Sequence, residues 1–427
     1  MSRRASAPAP APAGRRVHLE LSGVAYGGEA IGRAEGQVVF VPYGLPGEEV
    51  EVELVEDKGD YARGVIVELI KASPERAEPP CPYFGTCGGC QWQHAAYPAQ
   101  LRYKRQIVAE QLRRIGAFED AARYVLPTIG MQEPWHYRNH ARFTVGRRFG
   151  ELCFTRAGTR RLLRIDHCRL MHPRINETLA QLQGRFTGFR AHQIAIRVGA
   201  NTGEQLVNPR LDPAPDVPSG QTELHEELLG RRFRIASPAF FQVNTRRERR
   251  DAPTGATRFA ELIPADGLSI AETLILVVLD LLDPQLEDVF VDAYCGVGTF
   301  SALMAPYARE VIGIEESSAA IEDARANCAD LSNVRFIQGK TEELLPKLEE
   351  RVDKVILDPA RVGCERAVLD ALLEARPRRI VYVSCDPSTL ARDLAILRQG
   401  GFTLHSVQPI DMFPQTYHVE SVSLLTC

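Results

Sequence analysis

The sequence predicts an α/β protein: a doubly wound parallel sheet in the C-terminal half, a β-rich middle and a small N-terminal β-barrel. Three observations carry this reading. Beyond residue 239 short apolar runs, such as Val289-Phe290-Val291, Val311-Ile312-Gly313-Ile314 and Val355-Ile356-Leu357, alternate with helical stretches. Alternating βα units are the mark of a parallel sheet covered by helices. Before residue 72 the runs are short and punctuated by Gly/Pro turns, the pattern of a small barrel. Between these halves a basic segment alternates with a period near two.

A chain of 427 residues is long enough for two or three domains with their own cores. The longest apolar run, Leu274 to Leu282, contains Asp280 and is too short to span a bilayer. Residues 1–16 are Ala, Pro, Ser and Arg without a hydrophobic region, so a disordered arm is expected and not a secretory signal. A cytoplasmic, monomeric protein is the expectation. The net charge of −4 is unevenly spread: Tyr97 to Arg190 holds 18 Lys+Arg against 7 Asp+Glu, a candidate footprint for phosphates. Val17 to Lys71 has the opposite balance, 4 against 11. Ten cysteines without an export signal favour metal or catalytic use over disulfides.

In chain order, residues 17–72 read as the barrel, with turns at Gly27-Gly28 and Pro42 to Gly47. Cys81, Cys87 and Cys90 follow at a C-x5-C-x2-C spacing in a Pro/Gly loop, able to gather thiolates round one centre. A fourth sulfur is needed; Cys168 is the candidate and Cys153 the runner-up. Spacing alone leaves zinc and iron–sulfur both open. Leu101 to Ile115 predicts an amphipathic helix stopped by Gly116, its apolar face formed by Leu101, Ile107, Val108, Leu112 and Ile115, with Lys104 and Arg105 mostly off it. From His136 to Val145 one strand face carries Arg138, His140 and Arg142 and the other Tyr137, Phe143 and Val145. Such a surface can hold phosphates and stack bases, and an ordinary exposed sheet face fits as well. Arg246 to Gly267 shifts composition and reads as a surface excursion or linker before a helix from Ser269.

The strand at Val289 runs into Tyr294-Cys295-Gly296-Val297-Gly298-Thr299, where glycines admit a ligand to the backbone and a helix N-terminus follows. Glu315, 23 residues after Asp292 and ending the next strand, is placed to accept hydrogen bonds from ribose hydroxyls. Two further strands end at Asp358-Pro359-Ala360-Arg361 and at Ser384-Cys385-Asp386-Pro387. Alone, Cys385 reads as a small core thiol. Strand ends carrying Asp292, Glu315, Asp358 and Cys385 at one crevice reverse that reading. A terminal strand follows His418-Val419-Glu420; by itself Glu420 reads as a solvated turn carboxylate.

Taken in order, Cys81…Cys87-Gly-Gly-Cys90…Cys168, Phe241-Gln-Val-Asn244, Asp292-Ala-Tyr-Cys-Gly-Val-Gly-Thr-Phe300, Leu357-Asp-Pro-Ala-Arg361, Ser384-Cys-Asp-Pro387 and His418-Val-Glu420 resemble the S-adenosylmethionine-dependent RNA uridine-C5 methyltransferases. The likeness is to the branch with a TRAM domain and a [4Fe–4S] cluster, which includes the 23S rRNA 5-methyluridine enzymes. It implies a class I, Rossmann-like methyltransferase domain over 239–427 with an insertion at about 246–267. It also implies a central β-rich iron–sulfur RNA-binding domain over 73–238, whose helix at 100–116 packs on the catalytic domain, and an OB-like TRAM barrel over 17–72. By position it implies Cys385 as nucleophile and Glu420 as general base. Gln242, Tyr294, Thr299, Glu315 and Asp358 fall on cofactor-pocket positions, and Cys81, Cys87, Cys90 and Cys168 on cluster ligands. The implied partner is RNA, 23S rRNA first and the tRNA T-loop second. Gly339-Lys340 departs from the family's usual polar or acidic contact to the adenosine. Ala360-Arg361 after Asp358-Pro359 lacks the Pro-aromatic of amino-methyltransferases and the second cysteine of RNA cytosine-C5 enzymes. A non-enzymatic iron–sulfur RNA-binding module is the remaining alternative.

Overall fold

The computed structural model describes residues 14–146, 148–248 and 257–427. Most of the arm expected over 1–16 lies outside them. Its last residues are paired: Gly14 N–H donates to Leu54 O and Arg16 opens the first strand.

The N-terminal unit is a six-stranded sheet in the order Arg16–Glu20, Glu49–Asp57, Tyr61–Lys71, Gln37–Val41, Ala30–Ala34, Gly23–Val24. Period-two alternation sends Val39, Val41, Val50, Val52 and Leu54 inward to a small core. Glu49, Glu51 and Glu53 alternate with them on the other face. The middle is a five-stranded antiparallel sheet in the order Gln205–Asn208, Gln193–Val198, His140–Gly146, Glu151–Thr155, Leu162–Arg164. Helix Pro173–Leu182 covers one face through Ile175, Leu179 and Leu182. Phe143 is fully buried there and stacks on Phe154 with centroids 5.2 Å apart. The alternation expected at His136 to Val145 is therefore real, but its aromatic face is core. Only the basic face is available to a ligand.

The C-terminal sheet has seven strands in the order Val334–Gln338, Glu310–Glu315, Val289–Ala293, Lys354–Leu357, Arg379–Ser384, Glu420–Thr426, Thr403–Ile410. The first five are mutually parallel and Glu420–Thr426 is antiparallel to both neighbours. Helix Ile270–Leu282 starts at a capping box in which Ser269 and Glu272 satisfy each other's backbone donors. It is nearly all apolar and packs under the sheet. The excursion expected before it is only partly a surface one: Phe259 is buried against Tyr307, and Glu248 pairs with Leu268 across it.

The helix expected at 101–115 spans Tyr97–Arg114 and lies against helix Pro387–Gln399. Two of its residues depart from the expected pattern. Ile115 is exposed, whereas Lys104 is fully buried. Lys104 Nζ donates to Asp411 Oδ1 (2.5 Å), His418 O (2.6 Å) and Phe413 O (3.0 Å). Those bonds offset part of the desolvation that ordinarily keeps a lysine at the surface.

Candidate active site

The site is assembled at the carboxyl ends of the parallel strands, where an α/β sheet opens a crevice. Ser384 is paired with Ser421 in the antiparallel ladder, so the next step of the register sets Cys385 opposite Glu420. Asp386 then N-caps helix Pro387–Gln399, its Oδ1 accepting from Ser388 N (2.9 Å) and Thr389 N (3.2 Å). The cap turns the chain sharply and leaves the Cys385 thiol half-buried beside the crevice.

Acids dominate the surroundings. Burial pushes the Cys385 thiol up to about 12, with Glu420, Asp358 and Asp386 adding to it and Arg361 opposing. Glu420 is buried and held well above the carboxylate range, by desolvation first and then by Asp358. Asp358, just past strand Lys354–Leu357, rises to about 7 through burial and the neighbouring Asp292. Arg361 is exposed, and its NH2 lies 3.4 Å from His418 Nδ1. It is the cation acting on both Cys385 and Glu420, a role the sequence does not predict for it. Its signal was its position, three residues beyond Asp358 in the Asp-Pro-Ala-Arg turn.

Next to this pair lies the glycine-rich turn. Gly296 N donates to Glu315 Oε2 (3.0 Å), and Ser317 N donates to Oε1 (2.8 Å). Gly296 has φ 53°, with no heavy atom within 4 Å of where a Cβ would stand. Thr299 opens the helix Thr299–Met304, and Tyr294 is held at φ 67° with its hydroxyl near Cys364. Asp292 Oδ2 accepts from Ser301 N (2.9 Å) and Ser301 Oγ (2.6 Å). Its other oxygen is buried without a partner among the described residues. Glu315, Tyr294, Thr299 and Asp358 thus lie at or just past the carboxyl ends of neighbouring parallel strands, near the open Gly296 turn and the unpartnered Asp292 oxygen. Gln242 arrives from another side. It lines a small pocket with Asn139, His140 and Arg197. Two residues on, Asn244 fixes its segment by donating to Met412 O (3.0 Å).

The four predicted cluster cysteines converge. Cys81, Cys87, Cys90 and Cys168 line one cavity with Arg138. Burial raises the Cys90 thiol to about 12, and Arg138 works against that rise. Cys153 does not line the cavity; it is buried within strand Glu151–Thr155. All ten cysteines are free. Among the described residues, no three His, Cys, Asp or Glu side chains close round a single metal ion.

A seven-stranded sheet of this order, with a glycine turn after strand Val289–Ala293 and an acid ending the neighbouring strand Glu310–Glu315, defines a class I methyltransferase. Residues 265–427 match the family model described as tRNA (Uracil-5-)-methyltransferase, and residues 12–67 match the TRAM domain. An uncharacterized RNA methyltransferase of Thermosynechococcus vestitus is 36% identical, over 97% of this chain and 98% of its own. Another, of Halalkalibacterium halodurans, is 34% identical over 96% of both. The solved tRNA (uracil-54, C5)-methyltransferase of Pyrococcus abyssi, in complex with S-adenosyl-L-homocysteine, superposes with a TM-score of 0.71 at 23% identity, covering 96% of this chain and 100% of that one. The chain belongs to the RNA methyltransferase family and carries a TRAM domain and an RNA (uracil-5-)-methyltransferase domain. Among the described residues no helix is long and apolar enough to cross a membrane.

Proposed function

We propose that this protein methylates C5 of a uridine in RNA, with 23S rRNA as the substrate and Cys385 as a covalent catalyst. The observation that carries the reading is that Cys385 and Glu420 stand just past the paired Ser384 and Ser421, with Glu420 and Asp358 both acting on the thiol. Uracil C5 is too weak a nucleophile to accept a methyl group unaided. A thiolate adding to C6 converts the ring to an enolate whose C5 is nucleophilic. S-adenosylmethionine, when bound, supplies the electrophilic methyl group. Glu420 then removes the C5 proton, the C6–S bond breaks, and the thiolate is regenerated.

Tyr294, Thr299, Glu315 and Asp358 would hold the cofactor, with Gln242 added from the loop after strand Arg231–Ala236. The open Gly296 turn and the unspent oxygen of Asp292 fit a polar ligand there. A target base has to leave its stack to reach Cys385. A groove of about 470 Å³ lined by Arg142, Gln193, Asn208 and Ser237 gives the polynucleotide a polar path across the central sheet. Cys81, Cys87, Cys90 and Cys168 are proposed to hold a [4Fe–4S] cluster; four thiols round one cavity beside the Arg138 cation are what support it. Its role is to fix the RNA-binding half.

The test uses total RNA from cells lacking the gene and labelled S-adenosylmethionine. Cys385→Ala should incorporate no label, and Glu420→Gln should accumulate a protein–RNA adduct that survives denaturing gels. Near-normal turnover by Cys385→Ala would refute the mechanism. Mapping the labelled uridine decides between 23S rRNA and the tRNA T-loop.

A further inference from the structure

The barrel reaches the reacting residues. Its hairpin tip, Tyr26-Gly27-Gly28, lies against the loop of Cys385 on one side and the loop before Glu420 on the other. The Tyr26 hydroxyl donates to Asp386 Oδ2 at 2.6 Å, across 360 residues of sequence. The Tyr26 ring meets Tyr417 edge-on at 5.9 Å, and Tyr417 packs on His418 at 4.3 Å. Gly28 O accepts from Trp92 Nε1 at 2.9 Å. A Cβ at Gly28 would stand 3.1 Å from Tyr417 Cβ and 3.2 Å from Trp92 Nε1, and the backbone there has φ 89°. The tip is therefore seated closely enough that its glycine is sterically required. The barrel is acidic, with 4 Lys+Arg against 11 Asp+Glu over Val17 to Lys71, a poor balance for gripping phosphates.

We propose that the barrel completes the catalytic centre, with Tyr26 as a positioning residue that holds the Cys385 loop through Asp386. The proposal rests on Cys385 being the nucleophile. Asp386 has two oxygens with separate duties. Oδ1 caps the helix that follows the cysteine, and Oδ2 takes the tyrosine proton donor. Tyr26 thus fixes the carboxylate's orientation and draws part of its charge away from the adjacent sulfur. The groups facing that sulfur are Glu420, Asp358, Asp386 and the opposing Arg361. Losing the tyrosine donor turns the full Asp386 charge on the thiol, which makes the thiolate scarcer. A barrel that only tethered RNA would act on KM alone.

The experiment is alkylation of the full-length protein by iodoacetamide at pH 8, read as the mass of the Cys385 peptide, beside methyl incorporation into RNA from cells lacking the gene. Tyr26→Phe should slow alkylation by about tenfold, the size expected when one charge-assisted hydrogen bond next to the sulfur is lost. It should lower kcat similarly and change KM for RNA by less than about threefold. In an Asp386→Asn background, where no charge remains to be held, Tyr26→Phe should leave alkylation within about twofold. Gly28→Ala, which dislodges the tip without touching the hydroxyl, should slow alkylation in the same direction. Wild-type alkylation and kcat in both Tyr26→Phe and Gly28→Ala overturn the proposal, as does an equal effect of Tyr26→Phe with and without Asp386. Turnover by Cys385→Ala sinks the nucleophile reading instead, so the two failures are told apart.

Discussion

The buried pair Lys104–Asp411 gives the sharpest test of how the Glu420 loop is held. Both side chains have zero exposure, and Lys104 Nζ also binds two carbonyls, Phe413 O and His418 O. Burial depresses the Lys104 pKa, and Asp411 opposes that shift. Lys104→Met keeps the volume and removes the charge. It strands the Asp411 carboxylate, one of whose oxygens already lacks a partner among the described residues, leaving the Phe413 N–H (3.1 Å) as its donor. Breaking one side of a buried pair costs about 3–5 kcal/mol. At ~1.4 kcal/mol per decade, backbone amides over 411–418 should exchange with deuterium at least about a hundredfold faster through local opening. The kcat should fall with them, because Glu420 begins the strand that this loop feeds. Adding Asp411→Asn removes the stranded charge and should recover much of the loss, a coupling of about 2 kcal/mol or more. Exchange over 411–418 that stays within about threefold of wild type would refute the reasoning, as would a double variant that merely sums the singles.

Two further outcomes follow from the same chemistry. Asp358 has a folded-state pKa near 7 against an ordinary 3.8. Between those values the folded state keeps a proton that the unfolded state has released, so stability falls as pH rises through the window. Asp358→Asn removes that slope, and the variant's urea midpoint should gain on wild type between pH 5 and pH 8; a constant difference contradicts the assignment. For the cysteine cavity, anaerobically purified protein should carry about four irons and four sulfides. Cys90→Ser should lose them and Cys153→Ser should keep them; equal iron content in the two variants would remove the proposed ligand set.

Much of this architecture was legible because burial writes a simple pattern. Central parallel strands are covered on both faces, so Val289-Phe290-Val291 and Ile380-Val381-Tyr382 show as unbroken apolar runs. The crevice followed from where those runs ended. What stayed hidden was long-range and polar. Lys104 had the spacing of a solvated residue, and nothing local announces an aspartate 307 positions away. Tyr26 sat in a turn whose signal spoke only of the turn. Phe143 belonged to a true alternation, but periodicity does not say which face is core, and the apolar set took it. Arg361 ends the Asp-Pro-Ala-Arg turn, and nothing local says that its charge acts on a thiol 24 residues further on.

The register of the last strand explains why so few residues fix the chemistry. Side chains on a strand alternate faces, so a one-residue slip of Glu420–Thr426 against Arg379–Ser384 would carry Glu420 to the far side of the sheet from Cys385. That slip is opposed first by Lys104, which ties the loop before Glu420 through Asp411 and His418 O. It is opposed again below, where Val422 and Leu425 are fully buried in cores on opposite faces of the sheet. Shifting the strand by one residue would put Ser421 or Ser423 in the place of Val422 and Leu424 or Thr426 in the place of Leu425, breaking the packing on both faces. The meeting of thiol and carboxylate is therefore set in part by apolar side chains, Val422 and Leu425, farther along the same strand. Substitutions at Val422 or Leu425 belong with the active site in any account of what this sequence must keep.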